Sequence, residues 1–244
     1  MENVTKALLI AGGVLFAVLI LTLLVIFYNQ ISSYYTEQNN AKMNEQVVEF
    51  NNKFENYNGQ TVRGNELISV MNKVVDYNRT YSDIQGAERV TITINFKNHQ
   101  NDLLYSTGTA SKDRLFKKST FTNSSGNDTD ISYISGLATT LQSETGYTDT
   151  QLQKLSSEIS VVCSTSTNES DIKTRNEKLQ KILGHVPNTN ELSKIQNATI
   201  KYYQLTQFKR AMFKCTEMKH STSSGRINKI SFEAVIENNV IKLN

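Results

Sequence analysis

Tryptophan is absent from this 244-residue chain, proline occurs once, and cysteine and histidine occur two and three times. Cys163 and Cys215 allow a single disulfide in an oxidising compartment, the alternative being two small buried apolar side chains. His99, His185 and His220 lie far apart, each in or beside a predicted turn, with no H-x-x-x-H or C-x-x-C spacing. That pattern gives no support to a metal site, and no cofactor is expected. No block of like charge exists either: 26 basic residues stand against 23 acidic ones, for a formal charge of +3. Nucleic acid is therefore not expected as a partner.

The fingerprints of common chemistries are missing too. No G-x-S-x-G, P-loop or G-x-G-x-x-G occurs, so acyl-hydrolase, nucleotidase and dinucleotide readings lack their motifs. Ser170-Asp-Ile-Lys173 matches S-x-x-K, in which Ser and Lys meet one helical turn apart. The accompanying S-D-N and K-T-G elements are absent, Lys173-Thr174-Arg175 lacking the glycine, and Ser170 is more simply a helix-capping residue. Lys112, Arg114, Lys117 and Lys118 form a small basic cluster that would either meet anionic lipid or wall polymer or decorate an exposed strand edge. Nothing here amounts to an active site, and a non-enzymatic role is expected.

What the chain does have is one long apolar run. Ala7 to Tyr28 carries no charge and, ahead of its terminal tyrosine, a single hydroxyl, at Thr22. About 20 such residues cross the hydrocarbon core of a bilayer as a helix, the one local structure that satisfies its own backbone there. No A-x-A pattern follows, so a retained signal anchor is expected rather than a cleaved leader. Tyr28, Tyr34 and Tyr35 fall where interfacial aromatics belong. The remainder is rich in Asn, Ser and Thr, which favours a single-pass protein of the cell membrane with its bulk extracytoplasmic. Asn-x-Ser/Thr triplets at Asn3, Asn78, Asn123, Asn127, Asn168 and Asn197 arise by chance in such a composition.

Helical patterning does not stop where the apolar run ends. Met43, Val47, Phe50, Phe54 and Tyr57 are spaced 4, 3, 4, 3, which places them on one stripe, and Asn58-Gly59 supplies a stop. Residues 1–58 thus read as a transmembrane anchor and amphipathic stalk helix with a solvated neck near residues 36–42. The stripe needs a partner, and the chain's own downstream domain is preferred to a coiled coil.

Residues 59–244 read as an extracytoplasmic α+β domain. A second helix covers Asn65 to Tyr77, and Arg89 to Lys97 alternates as a half-buried strand. Residues 103–106 are expected to return as its hairpin mate, with another strand over 115–121. Residues 130–204 form a helical insert of four helices: 131–142; one opening at Thr148 with capping-box spacing; 171–183, ending at Gly184 before Pro187; and one from Asn188, again with capping-box spacing to Glu191, to about Tyr203. Residues 208–220 and 226–236 form a long hairpin around Ser221-Thr-Ser-Ser-Gly225, and a short strand ends the chain at 240–243. The fold class is α+β: a long N-terminal helix, then a small antiparallel sheet with a helical insert.

This layout resembles the type IV pilin-like proteins, with an apolar N-terminal half-helix, an amphipathic continuation over Met43 to Tyr57, and a helix-decorated sheet. The resemblance implies a subunit anchored by its apolar half that assembles with other envelope proteins. Leu8-Leu-Ile-Ala-Gly12 contains no Glu where pilins carry one, and the early acid here is Glu2. The segments YNGQTVRGNELISVMNKVVDYN (57–78), QFKRAMFKCTEMKH (207–220) and GRINKISFE (225–233) are also similar to uncharacterised single-pass membrane proteins of low-GC Gram-positive bacteria. The implied partners are the lipid bilayer and either other membrane or envelope proteins or further copies of the chain. The expected role is a pilin-like or secretion-system assembly component. A membrane-tethered extracellular ligand-binding domain is the alternative, and a membrane-anchored hydrolase a third.

Overall fold

The computed structural model describes residues 2–80, 88–105, 115–116, 118–122 and 129–244. The Asn123 and Asn127 triplets and Lys112, Arg114 and Lys117 of the basic cluster lie outside them. The chain divides into two compact units, Met1–Asn52 and Lys53–Asn244.

Helix α1, Glu2–Glu55, is unbroken through the polar stretch at 36–42. Its early hydroxyls bond back to their own helix, Thr22 Oγ1 to the Val18 carbonyl at 2.8 Å and Thr36 Oγ1 to that of Ser32 at 2.9 Å. They therefore need no outside partner. The helix ends in a turn at Gly59, whose φ of +69° is the left-handed conformation a glycine adopts without penalty.

The folded unit is built on a five-stranded sheet: β1 (Thr61–Arg63), β2 (Thr91–Asn95), β3 (Thr120–Thr122), β4 (Met212–His220) and β5 (Ile227–Ala234), in the order β1-β4-β5-β2-β3. The expected antiparallel sheet is in fact mixed. β2 pairs in parallel with β5, Ile92 opposite Ile230 and Ile94 opposite Phe232, while the other pairings are antiparallel. Parallel neighbours require a long crossover, and the helical segment between β3 and β4 supplies it. Period-2 alternation fixes which side chains face inward but is silent on strand direction.

Two local expectations change for similar reasons. The mate of β2 is β3, with Thr93 opposite Thr122, whereas Gln100–Leu103 is a short 3₁₀ turn that buries Leu103. Asn95 Oδ1 accepts from the Lys97 N–H at 2.8 Å, and Lys97 and Asn98 take φ of 53° and 66°, so the chain curls instead of returning as a strand. The last two strands, β6 (Ile236–Glu237) and β7 (Val240–Ile241), make a separate ribbon turned by Asn238 and Asn239, both at positive φ.

The helices are α2 (Gly64–Thr80), α3 (Thr129–Thr145), α4 (Asp149–Ser157), α5 (Ile159–Val162), α6 (Glu169–Leu183) and α7 (Thr189–Arg210). The stretch read as one helix from Thr148 breaks at Glu158 into α4 and α5. α7 outruns its expected end near Tyr203 to reach Arg210, because Tyr202, Leu205 and Phe208, three apart, are all buried on its inner side.

One face of the sheet is dry. Phe96, Phe116, Phe121, Phe208 and Phe213 form a ring cluster with centroids 5.1–6.3 Å apart, mostly tilted or edge-on. Each such ring stabilises the fold by roughly 1.5–3 kcal/mol through burial. The opposite face is polar: Glu217 bridges Lys229 at 2.7 Å and Lys219 at 2.9 Å, and Lys97 meets Glu233 at 2.8 Å. The two lysines, Lys229 foremost, hold the Glu217 carboxyl down at about 2.

Two contacts tie α2 in place. Gly64 donates its N–H to the Ala211 carbonyl at 2.8 Å, and a Cβ at Gly64 would overlap the Phe208 carbonyl. The end of α7 can approach α2 this closely only because residue 64 has no side chain. At the other end, buried Asn78 donates to the Val90 carbonyl and accepts from the Val90 N–H, both at 2.9 Å. Its amide thus stands in for a strand neighbour where β2 begins. A glycan on Asn78, one of the six triplets, is incompatible with this burial.

Candidate functional site

α1 is long and apolar enough to span a bilayer by length and composition. From Leu8 to Phe27 its large apolar residues are uncovered, Leu9 leaving 76% and Leu15 72% of its surface free. Lys6 pairs with Glu2 at 3.2 Å ahead of the run. Gly12 and Gly13 have no atom within 4 Å of where a Cβ would stand, leaving a shallow notch in the apolar surface.

The packing stripe divides along its length. Met43 is exposed and Val47 half-buried, whereas Phe50 and Phe54 are buried and Tyr57 is half-buried. Tyr57 carries the ammonium of Lys73, from α2, 5.6 Å from its ring centroid. Glu55 in the last turn of α1 lies 3.2 Å from His220 Nε2, at the end of β4.

Neither cysteine is bridged. Cys163 follows α5, with its Sγ–H directed at the Gln196 carbonyl 3.8 Å away, and Cys215 is buried in β4. Burial pushes the Cys163 thiol up to about 12 and raises that of Cys215, so both are poor nucleophiles. The histidines pair singly with carboxylates: His99 with Asp102 at 3.1 Å, His185 with Glu191 at 2.7 Å, and His220 with Glu55. No group of three or more His, Cys, Asp or Glu positioned for a metal occurs among the described residues. Ser170 and Lys173 both sit exposed on the first turns of α6.

A concavity lies between α3 and α7. Two hollows of about 260 and 300 Å³ share Glu144, Thr145 and Lys194 and so form one groove. Leu141, Ile195 and Ala198 lie buried beneath it, and Glu144, Lys194, Asn197 and Lys201 stand along it. One end is fixed by Glu191, whose Oε1 accepts from the Tyr147 hydroxyl at 2.9 Å and lies 2.7 Å from His185 Nε2. Those two donors, His185 first, lower the Glu191 carboxyl below its usual range, while burial and Glu191 push Tyr147 up to about 12. The network joins the turn after α3 to the first turn of α7. Sequence reasoning passed over Tyr147, Lys194 and Lys201, and reached Glu191 only through its capping-box spacing from Asn188.

No protein-family model, curated protein or solved structure matches this chain.

Proposed function

We propose that the chain is a non-enzymatic, single-pass membrane protein whose folded unit, outside the cytoplasm, assembles with other envelope proteins as a pilin-like or secretion-system component. One observation carries the reading: Ala7 to Tyr28 contains no charge and leaves its large side chains uncovered on an unbroken helix. Burying some 20 such residues in water-free hydrocarbon is strongly favourable, whereas leaving them in water is costly and prone to aggregation.

The test is membrane fractionation followed by crosslinking of the full chain. The protein should resist alkaline extraction from membranes, and added protease should reach residues 59–244 from outside the cell. Crosslinked oligomers should form and should require residues 7–57. A chain that washes free of membranes, or stays monomeric in every mild detergent, defeats the proposal.

The α3–α7 groove favours the second reading, a tethered ligand-binding domain. That version needs no oligomer but requires a ligand to be retained by the folded unit.

A further inference from the structure

We propose that two copies of the chain pair in parallel along a seam of α1 running from Ile20 to Val48. Steps of 4 and 3 taken in turn from Ile20 land on Leu24, Phe27, Ile31, Tyr34, Ala41 and Val48, with Gln38 and Glu45 as the two polar stops. That is the heptad spacing of a coiled coil, sustained over four heptads. The seam is uncovered: Ile31 is 54% exposed, Tyr34 63% and Val48 57%, and all three stand beyond the apolar run. The buried residues of the helix, Phe50 and Phe54, fall on its other side, so their burial leaves the seam free.

The charges beside the seam choose the occupant. Glu37 and Lys42 flank it as the g residue of one heptad and the e residue of the next. Both are exposed, and neither has a hydrogen-bond or ion-pair partner among the described residues. In a parallel, in-register pair, Glu37 of each copy meets Lys42 of the other, so the surface is complementary to itself. Gln38, opposite its own copy, joins amide to amide only in that register. Glu45 also faces its own copy, and like-charge repulsion there weakens the pair. Counted back from Ile20, the same steps reach Ala17 and Gly13, whose open notch admits a second backbone inside the bilayer. The seam lies wholly in Met1–Asn52. It rests on the membrane reading for its direction, since anchoring in one bilayer points both copies the same way.

The experiment is oxidative crosslinking of the full chain in membranes and in mild detergent, with one cysteine introduced at a time. Ala41→Cys, on the seam, should give a disulfide-linked dimer whose peptide masses join two copies at residue 41. Met43→Cys, on the far side, should give no more than wild type does with its native Cys163 and Cys215. Sedimentation in detergent then reads the dimer without a new thiol. Lys42→Glu should weaken dimerisation about fivefold, the reciprocal Glu37→Lys/Lys42→Glu should restore it, and Glu45→Leu should strengthen it. Equal crosslinking from Ala41→Cys and Met43→Cys would overturn the seam. So would a crosslink from Ala41→Cys to a different protein, or a reciprocal swap that fails to restore the dimer. A chain that pellets with membranes and gives any of these results keeps the membrane reading and loses the seam. A chain that washes free of membranes yet joins at residue 41 does the reverse.

Discussion

Leu15 in α1 leaves 72% of its surface uncovered and Ile195 in α7 leaves none, although both stand on long regular helices. The apolar half of α1 is hydrophobic all round, so no single face is reserved for a protein core. α7 mixes Lys, Gln and Asn with apolar positions of which Ile195, Ala198, Ile200, Tyr202, Leu205 and Phe208 are buried. Composition thus sets how much a helix needs to leave water, while spacing sets whether a protein core can accept it. A helix with no polar face calls for a different solvent.

Experiments can strain that contrast. The largest effect is expected from charging α1: Leu15→Arg with Leu19→Arg, near the middle of the apolar run, costs about 3 kcal/mol per arginine on insertion. The doubly substituted chain should move from the membrane pellet to the soluble or aggregated fraction. The same pair of changes at exposed positions of α6, such as Thr174 and Gln180, should move nothing. A doubly charged α1 that still fractionates with membranes would break the comparison.

Next comes the stripe itself, where two members of one pattern should behave differently. Phe54→Ala removes a fully buried ring and should lower unfolding stability by about 3–5 kcal/mol. Met43→Ala, on an exposed residue, should change it by less than about 0.5 kcal/mol. Urea unfolding followed by tyrosine fluorescence would measure both.

Gly64→Ala tests a close approach rather than a lost contact. The new methyl would overlap the Phe208 carbonyl, and neither backbone can yield cheaply, so a loss of about 3 kcal/mol is expected. A neutral Gly64→Ala would mean that the end of α7 can shift away from α2.

The smallest effect concerns the hairpin tip. Glu88 Oε1 accepts from Ser221 and Ser223 hydroxyls at 2.6 Å each, and Oε2 accepts from Ser224 at 2.9 Å. These bonds, Ser221 foremost, lower its carboxyl below the ordinary 4.5. A lowered folded-state value means that the stabilisation is complete above 4.5 and is lost as pH falls through the lower value. Wild type should therefore weaken more than Glu88→Gln between neutral pH and acid in a urea midpoint series. Identical slopes would show that the serine bonds contribute nothing.

Local chemistry was legible where it depends on nearest neighbours. Thr148 and Gln151 form the reciprocal capping box their spacing predicted, with the Gln151 N–H on Thr148 Oγ1 at 3.3 Å and the Thr148 N–H on Gln151 Oε1 at 2.9 Å. Asn188 and Glu191 complete only half of one: Asn188 Oδ1 accepts the Glu191 N–H at 2.9 Å, but the Glu191 carboxylate is taken by Tyr147 and His185. Both stretches have the same spacing in sequence. Only the arrival of the turn after α3 distinguishes them.

The groove was illegible for the same reason. Its floor and rim come from positions some fifty residues apart, and Lys194 and Lys201 look like any solvated lysines until α3 is laid beside them. The two cysteines illustrate the converse, since a count of two admits a bridge while the fold carries Cys163 to the foot of α5 and Cys215 into β4.

By itself the sequence determined the long helix and its uncovered apolar half, the alternation of β2 and β5, and the glycine stops at 59, 184 and 225, all at positive φ. Each rests on dihedral preference or on the periodicity of one element, both encoded within a few residues. Tertiary structure decided the parallel pairing of β2 with β5, the need for no side chain at Gly64, the strand-like rung supplied by Asn78, and the groove. Those depend on which surfaces meet across more than a hundred residues of chain in some cases, and nothing in a local pattern encodes the meeting.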